Sequence, residues 1–527
     1  MSATATLSHG DWKPKHNPWL IAVAVTAAAF MEILDSTIVT VSLPHIAGSL
    51  SVSYDEGTWT LTSYLVANGI VLMISGWLST VLGRKRYFLI CLGVFTLMSF
   101  LCGMAQNLPE LVLFRLLQGI AGGGLQPTQQ AIIVDSFPVE KRSAAFGVTA
   151  LTTVLAPIMG PTLGGLITDN MSWRWIFFIN VPVGLVALAL AVVLLEDPPW
   201  AKARMRGTDY IGLSLIALGL GCVQIVLDRG ETEGWFGSSF ICVLSLLGFI
   251  GIVGAVAWLL TTEKPVVNLF ILRDRNFAVG CVSIGMLGFQ LYAAGVLIAS
   301  VAQQLEGYTA FNAGLMLGPG ALVVMAMTPM IVRLMKWVPG RLIAIAGFGL
   351  ISFGAFYASL HLVPNIDFRD LVLLRVLQAP GYGCLFVPIS VLAYSTLPRE
   401  FGADAAALYA MFRNVLASIG ISLDTALNAD RAQVHQDHLA QRLTAADGGY
   451  NALVASYQHQ LMAMGRTVNL AHAQAIGRIY RQLLFQSSTM AYADVFAFNG
   501  TVAIVALLIA CFFSGARPAR PAAAAAH

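Results

Sequence analysis

Glu32 and Asp35 lie three residues apart in the apolar run 19–43, one helical turn and therefore one helix face. Two more apolar runs carry a basic residue each, Arg115 in 109–134 and Arg413 in 404–427. A charge at the middle of a bilayer costs a few kcal/mol or more, so each is a functional candidate by default. Asp35 is about nine residues, roughly 13 Å, from the outer end of its run, and Arg115 about six, roughly 9 Å, from the outer end of its own. An arginine side chain closes that difference, and Glu32 sits deeper. The chemistry such a set can do is proton binding and release: apolar surroundings favour the neutral acid, and a nearby guanidinium favours the anion. Protonation would neutralise the acid and free the site to change its facing direction. The competing reading is a static Asp35–Arg115 pair that only ties two helices. Asp135, Asp404, Asp424 and Asp494 fall near run ends, where snorkelling makes charge cheap, and are expected to be interface residues.

The elements that position these residues follow from composition. Of 527 residues 57% are hydrophobic and only 11% charged, with a mean hydropathy of +0.75; a soluble domain carries about 25% charged residues. Lipid must be the solvent for most of the chain, and the class is an all-α integral membrane protein. The net charge of +3 gives no footing for nucleic acid. At about 20 apolar residues per crossing, spans are predicted at 19–43, 57–82, 87–105, 109–134, 144–168, 174–195, 209–227, 239–261, 276–302, 311–333, 341–361, 369–395, 404–427 and 489–513. The first is too long, and lacks the cleavage site, for a signal peptide. With the N-terminus inside, nineteen Lys and Arg fall in inner loops and tails against three (Arg174, Arg229, Arg369) in short outer loops. That bias places both termini in the cytoplasm. It leaves 428–488 as one long outer loop with some helix. Its His435 and His438 read as solvent-facing residues rather than ligands.

An internal repeat fixes the plan. Leu111-Val-Leu-Phe-Arg115-Leu-Leu-Gln118 recurs as Leu371-Val-Leu-Leu-Arg375-Val-Leu-Gln378, an offset of 260 that also matches Pro138 to Pro398, Glu140 to Glu400 and Gly160 to Gly420. Span 4 thus corresponds to span 12, and two spans must be inserted between two six-span halves. The expected domains are an inner tail 1–18, a first half 19–195, a linker with the two inserted spans 196–275, a second half 276–513 including the loop 428–488, and an inner tail 514–527. Two homologous halves around a central cavity suit alternating access.

Gly147, Gly160, Pro161, Gly164 and Gly165 share span 5, where small residues let helices approach and proline bends the helix. Such a helix either flexes between the halves or simply packs tightly. Gln118, Gln126, Tyr64, Asn68, Phe289, Gln290, Tyr292, Tyr409 and Arg413, with Trp59 and Phe412, are candidate cavity residues; apolar pockets with a few polar groups suit lipophilic molecules. Helix packing is the alternative for each aromatic. The seven cysteines lie in apolar runs without C-x-x-C spacing, so they are expected to be buried, with no metal site or disulfide framework. No Gly-Lys dipeptide occurs, which removes a Walker A loop. The chain is read as no enzyme and as needing no cofactor, and an ion gradient remains as fuel. Carboxylates point to protons, with sodium left open.

These residues resemble a known family. Leu34-Asp35-Ser36-Thr37-Ile38-Val39-Thr40-Val41-Ser42-Leu43-Pro44, Arg115-x-x-Gln118-Gly119, Gly160-Pro161-x-x-Gly164-Gly165 and Trp173-Arg174-Trp175-Ile176-Phe177-Phe178-Ile179-Asn180-Val181-Pro182 are similar to the motifs of fourteen-span drug:proton antiporters of the major facilitator superfamily, of the EmrB type. The likeness runs from about residue 18 to 513. It implies the major facilitator fold, proton coupling through Asp35, Glu32 and Arg115, a conformational role for Gly160, Pro161, Gly164 and Gly165, and the bacterial inner membrane as location. It also implies lipophilic substrates, an EmrA-type periplasmic adaptor and a TolC-type outer-membrane channel, with 428–488 as docking surface or mere cap. One departure is Thr80, where the family usually has Asp. The basic loop Arg84-Lys85-Arg86 must then be held otherwise, with Asp135 a possible partner. The expectation is proton-driven export of hydrophobic drugs and toxins. A dedicated exporter of one endogenous metabolite, fatty acid or siderophore-like, is the alternative; a non-transporting scaffold has no need of midplane charges.

Overall fold

Long apolar runs punctuated by polar caps become helices, and the computed structural model describes them over residues 14–198, 209–263, 265–397, 401–441, 443–444 and 448–514. Lys13, Lys202, Arg204, Arg206, Lys264, Pro398, Arg399, Glu400, Arg442, Arg517 and Arg520 of the sequence reading lie outside these residues. The first half holds α1 (Pro18–Ser49), α2 (Tyr54–Gly57), α3 (Trp59–Leu82), α4 (Arg84–Met104), α5 (Leu108–Gly122), α6 (Leu125–Ser136), α7 (Val139–Asn170), α8 (Trp175–Phe178) and α9 (Asn180–Leu194). Then come α10 (Tyr210–Arg229) and α11 (Ser239–Thr261). The second half holds α12 (Arg275–Ser300), α13 (Ala310–Leu334), α14 (Gly340–His361), α15 (Phe368–Ala393), α16 (Gly402–Ala440), α17 (Gly448–Ala463) and α18 (Val468–Ala510). Among the described residues there is no strand. Asn17, Asn107, Asp209, Asp274 and Thr309 each accept a first-turn N–H with their side chains, satisfying donors the helix itself leaves free.

Twelve helices among the described residues are long and apolar enough to cross a membrane. Leu108–Ser136, broken at Gly123 and Gly124 into α5 and α6, and the 32-residue α7 are consistent with a total of fourteen. Several predicted limits move. Span 1 extends through Pro44 to Ser49, which places Glu32 and Asp35 at the middle of a 32-residue helix rather than towards its outer end. Span 4 is two helices. The loop 428–488 is mostly helical: α16 and α18, 39 and 43 residues long, continue into it, and α17 packs on α18 through Val454, Leu461, Ala471, Ala475 and Ile479. At 1.5 Å per residue both helices reach about 60 Å, twice the hydrocarbon thickness of about 30 Å. Five of the cysteines are buried, but Cys242 faces outward on α11.

The repeat is visible in the packing. α1 packs on α7 and α9 as α12 packs on α16 and α18, and α5 lies against α3 and α4 as α15 lies against α13 and α14. α10 and α11 pair with each other, and α10 rests on α3. α11 turns most of its surface, Phe249 and Leu246 included, outward, as a lipid-facing helix must. The halves meet where α7 packs on α13 and α15, and where α16 packs on α3 and α6. Phe146 of α7 stacks on Tyr394 at 5.8 Å, and the Tyr394 hydroxyl donates to Gln130 at 3.3 Å. Farther along α7, Thr162 lies so close to Gly314 of α13 that a Cβ there has no room. The halves thus touch on both sides of the middle.

Within the first half, Gly160 and Gly164 let α7 lie directly on α1. A Cβ on Gly164 would meet the Ile38 carbonyl oxygen at 2.9 Å, and one on Gly160 would collide with Thr37. Gly165 is buried on the same helix, with Pro161 half-buried beside it. Overpacking costs about 1–3 kcal/mol, and here it would push away the helix that carries both acids. Gly160→Leu is expected to lower the yield of monodisperse protein in detergent, by fluorescence-detected gel filtration, at least severalfold below wild type. Gly295→Ala, where nothing lies within 4 Å, is expected to match wild type.

Candidate functional site

The span-1 face predicted to do chemistry is fully enclosed. Asp35 is 0% and Glu32 4% exposed, and buried carboxylates need partners to offset lost hydration. Asp35 has three. Arg115 Nη1 donates to its Oδ2 at 2.6 Å, while Gln118 Nε2 at 3.1 Å and Asn180 Nδ2 at 2.7 Å donate to Oδ1. Arg115 is fixed in turn: its Nε donates to the Thr60 carbonyl at 3.1 Å, its Nη1 to Gln118 Oε1 at 2.9 Å, and its guanidinium lies 4.1 Å from the Tyr64 ring centre. Asn180 also donates to Ser99 Oγ at 3.1 Å. One carboxylate therefore gathers α1, α5 and α9, with α3 and α4 holding the donors in place.

Glu32 builds a second network one turn away. The Tyr64 hydroxyl donates to Oε1 at 3.2 Å and Asn68 Nδ2 at 2.9 Å; Gln126 Nε2 donates to Oε2. Gln126 then accepts from Arg413 Nη2 of α16, so a relay runs from Glu32 in the first half to Arg413 in the second. Tyr292 lies within electrostatic reach of both Arg413 and Glu32. Of the candidate cavity residues, the structure thus brings together Tyr64, Asn68, Gln126, Tyr292 and Arg413 around Glu32, and puts Gln118 on Asp35. It does not bring Phe289, Gln290 and Tyr409 into these contacts. Gln290 donates to the Asn499 carbonyl at 3.0 Å, Phe289 lies beside Phe498 and Gly420, and the Tyr409 hydroxyl shares a 2.9 Å hydrogen bond with Ser390.

The basic loop finds anchors without an acid at position 80. The Thr80 hydroxyl donates to the Trp77 carbonyl of its own helix at 2.7 Å. Gly83 takes φ 84°, a left-handed turn that costs glycine nothing, and Arg84 forms a buried ion pair with Asp135. The Lys85 backbone N–H donates to Asp197 Oδ1 at 2.7 Å. Two expected interface acids are therefore buried: Asp135, and Asp424, which accepts from Asn499 Nδ2 at 2.7 Å. Asp494 does sit in a partly exposed cluster, 2.9 Å from His435 and 3.8 Å from Arg431. His435 is thus engaged with a carboxylate, and His438 is exposed. Among the described residues no group of three His, Cys, Asp or Glu could hold a metal. The donors to Glu32 and Asp35 from Asn68, Gln126 and Asn180 went unassigned to any acid in the sequence, because amide residues carry no depth signal of their own.

The Major Facilitator Superfamily pattern matches residues 25–421. Multidrug export protein EmrB of Haemophilus influenzae is 34% identical over 496 residues, 94% of this chain and 95% of that one. Fatty acid resistance protein FarB of Neisseria gonorrhoeae is 33% identical over 451 residues, 85% of this chain and 88% of that one. The solved structure of XylE, a major facilitator superfamily proton:xylose symporter, superposes with a TM-score of 0.56 at 13% identity, over 93% of this chain and 94% of that one, a likeness of fold alone. With its repeated halves, inserted helix pair and these relatives across nearly its whole length, the chain belongs to the major facilitator superfamily, in the group that includes the EmrB multidrug exporters.

Proposed function

We propose that the protein exports lipophilic drugs and toxins across the bacterial inner membrane by antiport with protons, Asp35 and Glu32 being the proton-binding groups and Arg115 the charge that competes with the proton. The observation that carries this reading is the wholly buried Asp35–Arg115 pair, 2.6 Å apart, on a membrane-spanning helix. A proton on Asp35 replaces the guanidinium as its counter-charge and releases Arg115. A proton on Glu32 removes the charge that orients Gln126, and with it the relay to Arg413 across the halves. Substrate entering between the halves competes for Tyr64, Asn68, Gln126, Tyr292 and Arg413. Gly160, Pro161, Gly164 and Gly165 let α7 shift against α1 as the facing direction changes.

The Lys and Arg bias supports cytoplasmic termini, and the repeat at an offset of 260 supports the boundaries 19–195, 196–275 and 276–513 for the two halves and their linker. The α16–α17–α18 hairpin then projects into the periplasm. It exposes Met464, Val468 and Tyr480, apolar side chains beyond the bilayer that suit an EmrA-type adaptor leading to a TolC-type channel. A second reading, a dedicated exporter of one amphiphile such as a fatty acid, is favoured by the relative named for fatty acid resistance.

Drug susceptibility and pH-dependent efflux in a pump-deficient host, with and without a co-expressed adaptor, test these statements. Wild type is expected to protect against several unrelated lipophilic compounds. Asp35→Asn at equal membrane levels is expected to lose that protection, and protection against a single amphiphile alone would favour the second reading. A charge-assisted hydrogen bond contributes roughly 1.5–3 kcal/mol, so Gln118→Leu is expected to slow efflux about tenfold to a hundredfold. Replacing 443–466 by a short Gly-Ser linker is expected to leave drug binding by purified protein intact and to abolish the gain conferred by the adaptor.

A further inference from the structure

The second half carries a buried carboxylate that the coupling networks do not use. Asp424 of α16 is 4% exposed, and its Oδ2 accepts from Asn499 Nδ2 of α18 at 2.7 Å. Its Oδ1 is buried and meets no hydrogen-bond donor among the described residues; the same holds for Asn428 Oδ1, one turn along α16. No salt bridge among the described residues neutralises Asp424, in contrast to Asp35 and Asp135. The repeat sharpens that contrast. Residue 35 plus 260 is Gly295, so Arg375, the counterpart of Arg115, has no acid on span 9, and the second half's carboxylate stands on span 13 instead.

Asp424 lines a cleft of about 90 Å³ between α12, α16 and α18, together with Ser300, Gln304, Thr425, Asn428 and Tyr492. That is several times the roughly 10–15 Å³ of accessible space that one water needs. The polar atoms around it come from one carboxylate, two amides and three hydroxyls, with no Lys, Arg or His in the lining. Helix α12 ends there in a π-helical turn, Val301–Leu305, that presents Gln304; such turns concentrate at functional sites. The Tyr492 hydroxyl donates to Gln304 Oε1 at 3.3 Å. Oxygen ligands without a basic neighbour select hard cations, and a single carboxylate matches a single positive charge.

We propose that this cleft binds a small monovalent cation, an alkali ion or the ammonium head of a cationic substrate, with Asp424 as its counter-charge and Asn428, Ser300 and Gln304 as oxygen ligands. The site stands apart from the Glu32 and Asp35 networks and does not depend on the export reading. Bound cation would tie α12, α16 and α18 together on the hairpin side of the second half.

The test uses the purified full-length protein in detergent. Thermal unfolding is followed at constant ionic strength while N-methylglucamine chloride is exchanged for sodium, potassium or methylammonium chloride, and binding of radioactive sodium is measured directly. Ligand binding to the folded state raises Tm by mass action, and a saturable rise of about 2–5 °C is expected for wild type and for Asp35→Asn. Asp424→Asn is expected to lose it. Because Asp424→Asn could fold poorly, Gln304→Leu and the direct sodium-binding assay serve as independent readouts, each expected to show at least a tenfold weaker site in the variant. Saturation by sodium or potassium assigns an alkali-ion site; saturation by methylammonium alone assigns a substrate ammonium site. No saturable shift with any of the three, or an equal shift in a well-folded Asp424→Asn, overturns the proposal.

Discussion

Removing an ionised carboxylate from water costs several kcal/mol even after relaxation, and the first half of this molecule is arranged around meeting that cost at Asp35. Three N–H donors from three side chains converge on it, and each is held by something else: Arg115 by Thr60 and the Tyr64 face, Gln118 by Arg115, Asn180 by Ser99. Breaking such a set by removing one partner leaves a charge uncompensated. The helices that supply the donors, α5 and α9, and those that support them, α3 and α4, are thereby fixed in rotation and height against α1. In lipid there is little hydrophobic drive between helices, so polar convergence and close backbone approach carry much of the specificity.

The same economy governs the second contact of α1. Gly160 and Gly164 permit α7 to lie on Thr37 and Ile38, within one turn of Asp35 and two of Glu32. The helix that lies on α1 beside both acids itself touches α13 and α15 of the other half. Gln126 adds a direct polar step, from Glu32 to Arg413. Acid site, glycine-bearing helix and half-to-half boundary are adjacent.

Much of this was legible in the sequence, for physical reasons. Charge in an apolar run is so costly that Glu32, Asp35, Arg115 and Arg413 announce themselves, and the depth estimate matched Asp35 to Arg115. The duplicated Arg-x-x-Gln motif gave the two-half plan, and the absence of an acid at Thr80 pointed to Asp135 as partner of the basic loop. What the sequence concealed was rotational phase. A helix apolar on all sides shows no stripe to say which way Gln290 or Asn68 turns, so Gln290 reads as a cavity candidate although it donates to Asn499. Helix ends were hidden too. Polar residues beyond 427 read as an outer loop with some helix, whereas α16 and α18 run on as continuous helices packed on each other, and α17 adds a small core with α18. Asp424, placed by position at a membrane edge, is buried because Asn499 of a neighbouring helix offers it a donor.

Substrate-induced proton release tests the central claim most directly. Purified protein in weakly buffered detergent solution would be mixed with a compound against which the wild type protects, and the pH followed with an indicator dye. If Asp35 and Glu32 exchange protons against substrate, wild type releases protons on binding, and Asp35→Asn/Glu32→Gln binds the compound without release. Equal release from the double variant would contradict the account and place proton exchange elsewhere in the molecule.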